Sequence, residues 1–433
     1  MQDLIIIGGG PAGYRAAELA ARGGLKTTLF EERALGGVCL NEGCIPSKAL
    51  LHSAKIYDYA KGGGAKYGVS CEGALFDYAA AVARKDKVVK TLVAGVEASL
   101  KKAGAQIVRE RAEIQGKSGE GFEVKTAGAR HVARNLLLCP GSVSAAPPIK
   151  GIESAMTNRE ILALTQAPKT LAIIGGGVIG LEMASLFNSA GSAVTVYEMA
   201  DKIAGAFDRE ISQALQKIYE QKGVAFKLGA AVSDVAALGA EKTLVCVGRR
   251  PATDGLGLES LRIPVERGAI ITDEFMKTGV PGVFAAGDAN GRHMLAHVAY
   301  REAEVAVANI QGAREIMEYG AIPSVIYTNP EAAGIGETLE SAKARGLDAT
   351  EIKLPMQYSG RFLAENEDGA GLCKLVVADG RLVGAHMLGN PSSEIVSTLA
   401  AILFRQMSVE QIKKIIFPHP TVAEIIKEAL FHA

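Results

Sequence analysis

The sequence has no excess of charge of either sign: Lys plus Arg and Asp plus Glu each number 47 in 433 residues. That balance removes the long-range attraction that gathers basic proteins on nucleic acid or anionic membranes. No apolar run approaches the roughly 18 residues needed to cross a bilayer. The first strand, Leu4-Ile5-Ile6-Ile7, begins too early for a charged leader and a cleavage site. Six cysteines are too few for a secreted scaffold held by disulfides. Low-complexity tracts are missing too. These absences describe a soluble cytoplasmic protein with no nucleic-acid or membrane partner. Its thiols are expected to be mostly buried, any close pair being kept for chemistry.

What is present is apolar material, 48% of residues, enough for about three packed domains. One unit occurs twice. Residues 4–31 (LIIIGGGPAGYRAAELAARGGLKTTLFE) align without gaps on 171–198 (LAIIGGGVIGLEMASLFNSAGSAVTVYE), at an offset of 167 with 12 identities in 28 positions. Each copy reads as an apolar strand, a glycine turn, an Ala-rich helix and a β-branched strand ending in Glu, which is a βαβ unit. Between the copies the pattern predicts helix around 39–60, a break at 62–64, helix over 78–103 and a β-meander through 112–114, 122–125 and 135–138. Ala146-Pro147-Pro148 marks a boundary. After the second copy come a strand, a turn and a long helix beginning near Met294, then short strands mixed with helices from about Ile322.

Gly8, Gly10 and Gly13 follow a strand and open a helix, with Glu31 at 23 residues beyond Gly8; Gly175, Gly177, Gly180 and Glu198 repeat the arrangement. Three glycines at this spacing would arise by chance about 0.6 times in so glycine-rich a chain, so the strand–turn–helix context and the matched acids carry the reading. Such glycines let backbone approach a pyrophosphate at a helix N-terminus, and each carboxylate can accept from ribose hydroxyls. The first site precedes Cys39 closely. If Cys39 and Cys44 exchange electrons with a flavin, that site takes FAD and the second takes the nicotinamide nucleotide. Glu198 would repel a 2′-phosphate and Met199-Ala200 offer no arginine for one, which favours NAD over NADP, Lys202 being the nearby cation.

Cys39 and Cys44 stand in GGVCLNEGCIPSK, residues 36–48. The flanking glycines permit a short disulfide loop, and Lys48, one turn after Cys44, favours a thiolate. Spacing alone would equally describe two cysteines buried on a helix. Cys71, Cys139, Cys246 and Cys373 are isolated and expected to be inert.

The whole chain resembles the flavoprotein disulfide reductases of the glutathione reductase type, and among them the dihydrolipoamide dehydrogenases. GGVCLNEGCIPSK is similar to the redox-disulfide motif of that group, where glutathione-reducing members more usually end in CVPKK. The resemblance implies an α/β fold: two Rossmann-like domains binding FAD and NAD, and a C-terminal α+β dimerisation domain. They would span residues 1–146 completed by 263–313, 147–262, and 314–433. It implies that Cys39 is the interchange thiol, that Cys44 faces the flavin, and that Lys48 sits near flavin N5 paired with Glu182 of GVIGLE. VPGVFAAGD, residues 280–288, resembles the second FAD motif, placing Asp288 on the ribityl chain. MLAH, residues 294–297, resembles a turn typical of the group and puts Leu295, Ala296 and His297 beside the flavin at a helix N-terminus. Gly141 joins the FAD set and Gly248 the NAD set.

FPHPTVAE, residues 417–424, resembles the HPT…E signature, in which His419 is the acid/base and Glu424 orients it. An imidazole titrates in the range that dithiol oxidation needs. His419-Pro420 is a candidate cis peptide. Because that base serves the other subunit's flavin, the resemblance implies a homodimer. The implied partner is a lipoyl-bearing protein of a 2-oxo acid dehydrogenase or glycine cleavage system. Three departures stand out: residues 227–242 are shorter than usual, so a small β-meander is expected to be truncated; LCPGS replaces ATGS; and Phe417-Pro418 replaces His-Ala. The C-terminus, EALFHA, lacks the cysteine pair of mercuric ion and high-molecular-weight thioredoxin reductases. The remaining rivals are an NAD(P)H-dependent reductase of another disulfide and a flavin-bound structural or regulatory subunit.

Overall fold

The computed structural model describes residues 1–366 and 369–432. Strand Gln2–Ile7 ends in four buried apolar residues, the pattern of a central parallel strand covered on both faces. It pairs in parallel with Thr27–Phe30 on one side and Arg130–Leu138 on the other. Gln106–Val108 extends the sheet beyond Thr27–Phe30. Beyond Arg130–Leu138 the sheet branches: Gly121–Lys125 and Glu113–Ser118 continue it antiparallel, while Val283–Ala285 returns to pair in parallel. The strand expected at 135–138 therefore starts earlier. Its first half pairs with Gly121–Lys125 and its second with Gln2–Ile7.

Helices Pro11–Arg22 and Ala296–Ile310 cover one face of this sheet, and Ala16, Ala17 and Ala20 share a core with Ala299, Ala303 and Ala306. Small side chains allow the two helices to approach closely. Helix Tyr78–Ala103 is capped by the Asp77 carboxylate, which accepts from Ala80 N–H, and is ended by Gly104 at a φ of 89°.

The second copy builds a four-stranded parallel sheet in the order Ala225–Lys227, Ala193–Tyr197, Thr170–Ile174, Lys242–Val245. Where the first copy inserts an antiparallel hairpin, residues 228–241 cross with a single 3₁₀ turn, Ala236–Leu238. An antiparallel ribbon of Ser142–Ser144 and Arg249–Pro251 joins the two units. The chain re-enters the first core before residue 263, since Leu256 and Leu258 pack there with Ile5, Ile7 and Phe30. The last part is a five-stranded antiparallel sheet from Ser324–Ile326 to Ala349–Pro355, with helices Ser392–Phe404 and Ile425–Phe431 in its core. Among the described residues no helix is long and apolar enough to cross a membrane.

Candidate active site

The two glycine motifs build the same local structure. Gly8 and Gly175 adopt φ of 104° and 110°, and a Cβ there would lie 2.0 and 2.6 Å from the carbonyl oxygens of Cys139 and Cys246. A Cβ on Gly13 or Gly180 would sit 1.7 or 2.1 Å from the Gly8 or Gly175 oxygen. First and third glycines thus serve the turn and the helix–strand contact. The approach to pyrophosphate, expected of all three, falls to the middle ones: a Cβ on Gly177 would meet nothing within 4 Å, and one on Gly10 only Gly37 Cα at 3.9 Å. Neither Gly10 nor Gly177 offers a side-chain cap, so amides at both helix N-termini are available to an anion.

The two acids close each motif. Glu31 accepts from Gly9 N and Arg33 N, both at 2.7 Å, and Glu198 from Gly176 N at 2.7 Å and Ala200 N at 2.8 Å. A carboxylate has about four acceptor sites, so capacity for ribose hydroxyls remains. Lys202 donates to the carbonyls of Gly205 and Phe207, the latter at 2.8 Å, which commits its ammonium to its own loop.

One cavity of about 1710 Å³ connects both motifs and is lined by Gly10, Glu31, Gly177, Glu198, Gly141, Gly248, Asp288, Leu295, Ala296 and His297 together with Cys39, Cys44, Lys48 and Glu182. Single-ligand pockets run to roughly 1,000 Å³, so the space and the uncapped amides at each end fit two dinucleotides.

The cysteine loop rests on the first glycine turn: Gly37 has a φ of 57°, and a Cβ there would lie 2.7 Å from Gly10 Cα. Cys39 lies in the short helix Gly37–Glu42, and Cys44 opens helix Cys44–Asp58 across Gly43. Both are unbonded thiols, the reduced form. The Cys39 thiol donates to Cys44, and that bond, with Lys48 in support, brings Cys44 down to about 7 against the opposing effect of burial. The same bond, with burial, pushes Cys39 far up. The pair holds one proton readily and releases the other near neutrality.

Lys48 Nζ donates to both oxygens of buried Glu182 at 2.9 Å. Tyr327 N–H donates to the same carboxylate at 3.1 Å, and the ammonium lies 4.4 Å from the Tyr327 ring centroid. Asp288, whose carboxyl is pushed up by burial, shares a hydrogen bond with the Ser142 hydroxyl, to which Arg249 Nε donates at 2.7 Å. Ser142, Arg249 and Tyr327 escaped the sequence reading. Ser142 and Arg249 adjoin Gly141 and Gly248 and could have been found there; Tyr327 carries no local signal.

His419 Nδ1 lies 3.0 Å from Glu424 Oε1, and Glu424 Oε2 accepts from Thr421 N at 2.8 Å. The Thr421 amide and then His419 hold the Glu424 carboxyl below its usual range. The His419-Pro420 peptide is cis. These two residues do not line the cavity, and the His419 side chain is 80% exposed. Among the other cysteines, Cys139 and Cys373 are buried and Cys246 nearly so, and burial raises all three thiols. Cys71 alone of these four is exposed, so the expectation that the thiols are mostly buried describes the other three.

Comparison with known proteins follows the same outline. Residues 2–303 match the family described as pyridine nucleotide-disulphide oxidoreductase, and residues 322–430 match its dimerisation domain. The mitochondrial dihydrolipoyl dehydrogenase of Dictyostelium discoideum is 36% identical over 460 aligned positions, covering 100% of this chain and 94% of that protein. The dihydrolipoyl dehydrogenase of Chlamydia muridarum is also 36% identical, over 99% and 96% of the two chains. Among solved structures, the HOCl-induced flavoprotein disulfide reductase RclA from Escherichia coli is 26% identical with a TM-score of 0.87, covering 99% of both chains. LpdA from Mycobacterium tuberculosis shares the fold at a TM-score of 0.90 and 24% identity, again over 99% of both chains.

Proposed function

The chain belongs to the pyridine nucleotide-disulphide oxidoreductases, enzymes that use FAD and NAD, and from that premise we propose that it oxidises protein-bound dihydrolipoamide to lipoamide with NAD+. The observation that carries the reading is the Cys39/Cys44 pair, set on adjoining helices beside Lys48 in a cavity reaching both glycine turns.

In the oxidised enzyme the two sulfurs are bonded. A substrate thiolate attacks the Cys39 sulfur, the Cys39–Cys44 bond breaks, and its electron pair leaves on Cys44. Lys48 and the N-terminus of helix Cys44–Asp58 stabilise that thiolate. His419 of the partner subunit, oriented by Glu424, takes the proton of the second substrate thiol. That sulfur then displaces Cys39 and closes the cyclic disulfide. Glu182 neutralises Lys48, so the cation stabilises the thiolate without adding net charge to the buried site. Gly10, Glu31, Gly141, Asp288 and residues 295–297 would hold FAD, which when bound would supply the hydride chemistry that links the cysteine pair to NAD+. Glu198 and the engaged Lys202 support NAD over NADP.

We assign 1–146 with 263–313 to FAD, 147–262 to NAD and 314–433 to dimerisation, with the stretch around Leu256 and Leu258 packing on the FAD side of the second boundary. A cytoplasmic homodimer serving a lipoyl-bearing protein of a 2-oxo acid dehydrogenase or glycine cleavage system completes the reading. Anaerobic addition of dihydrolipoamide to the oxidised enzyme should generate the long-wavelength absorbance of its reduced form, and added NAD+ should then yield NADH. Absence of both signals would remove the dehydrogenase reading, whereas reduction by another dithiol alone would change the substrate.

A further inference from the structure

The redox loop carries a charge that this chemistry does not use. Glu42 stands two residues before Cys44, at the last position of helix Gly37–Glu42, where the helix dipole disfavours a carboxylate. Its side chain is only 13% exposed, so its charge must be met by partners. Two arginines from different parts of the chain meet it: Arg33 Nη2 donates to Oε1 at 2.6 Å and Arg159 Nε to Oε2 at 2.5 Å. Arg33 follows the acid of the first nucleotide motif, while Arg159 lies in helix Asn158–Leu162 at the entry to the second unit. Asn158 Nδ2 donates to the Glu42 carbonyl at 2.7 Å, and its Oδ1 accepts from Ser144 Oγ at 2.9 Å. Ser144 belongs to the ribbon that joins the two units.

Two other bonds join the redox segment to the second unit: Lys48 to Glu182 at 2.9 Å, and Ser189 to Asp58 at 2.8 Å. Both connect helix Cys44–Asp58 with helix Val178–Ser189, whose apolar faces also share one buried core. The Glu42 clamp joins a different helix to a different segment, the one that carries the ribbon between the two units, and so fixes the redox loop at a second, polar point.

We propose that Glu42 and Arg159 are positioning residues that register the second nucleotide site against the redox loop, a role resting on the FAD and NAD assignment above. Arg159→Met leaves the cysteines and both glycine turns untouched. It should slow reoxidation of the reduced enzyme by NAD+ about tenfold, the scale of one lost charge-assisted bond, while reduction by dihydrolipoamide stays within about twofold. The amides of Arg249 and Arg250 should exchange hydrogen about tenfold faster, a readout independent of activity. Arg159→Lys should restore most of both. The double variant Glu42→Gln/Arg159→Met should be no slower than Arg159→Met alone, because the two act through one contact.

Equal slowing of both half-reactions, or no change in reoxidation and exchange, would overturn the proposal. Reduction by NADH runs the same nucleotide step in reverse. If dihydrolipoamide fails to reduce the unmodified protein, the substrate reading falls, while the comparison of variants with NADH still decides the role of Glu42.

Discussion

Cys39 and Cys44 have the same side chain and different chemistry because they share one hydrogen-bonded proton beside a single cation. Cys44 ionises near 7 and Cys39 far above, so the reduced pair should carry one thiolate above about pH 7 and none well below it. Thiolate ultraviolet absorbance of the reduced protein should rise through that pH by one equivalent per chain. Because Lys48 favours the charged form, Lys48→Met should move the midpoint upward; an unmoved midpoint would show that the Cys39 hydrogen bond acts alone. At the other end of the reaction, Glu424 and the Thr421 amide fix His419 with Nε2 directed outward. His419→Gln should lower kcat by about 10²–10⁴, and Glu424→Gln by a smaller factor with KM nearly constant. A KM rise without loss of kcat in either variant would argue for substrate binding instead. The residues of these two groups were legible because motif and chemistry lie within a few positions of each other. Tyr327, reaching Glu182 from 145 residues away, was not, since nothing local marks a residue whose role is set by tertiary approach.

At the scale of elements, the duplicated βαβ unit was legible because glycine is demanded by geometry there and not merely tolerated. Gly180 brings helix Val178–Ser189 against strand Thr170–Ile174, and a Cβ 2.1 Å from the Gly175 oxygen would push that helix away. The same helix carries Glu182. Gly180→Ala should therefore weaken reduction by NADH and lower stability by about 1–3 kcal/mol, while flavin content stays near one per chain. Loss of flavin instead would reverse the assignment of the two sites. Helix Tyr78–Ala103 has the bounds expected for it, and the structure supplies the reason: Asp77 caps its start and Gly104 ends it. The helix expected near Met294 starts at Ala296, because Leu295 is still extended and offers no capping side chain. Strand Arg130–Leu138 hid its first half behind Arg130, His131 and Arg134, polar residues that are tolerated because only part of the strand is buried.

The whole molecule places its two chemical groups apart: the cysteines line the cavity between the nucleotide turns, whereas His419 lies outside it on an exposed segment. Ile416, three residues before His419, is 92% exposed, an apolar side chain that a second copy would cover. If the imidazole of one chain serves the cysteines of the other, each site of a homodimer draws on both subunits, and two inactive variants can repair each other. Mixing Cys44→Ser with His419→Gln under conditions that exchange subunits gives half mixed dimers. In each of these, one site pairs intact cysteines with an intact histidine and the other has lost both, so about a quarter of the original activity should return. Were both groups supplied by the same chain, every site in every dimer would lack one of them, and mixing would restore nothing. With an affinity tag on one variant only, recovery of the untagged variant with the tagged one would establish that subunits had exchanged, so that zero recovery could be assigned to the chemistry and not to a failure to mix.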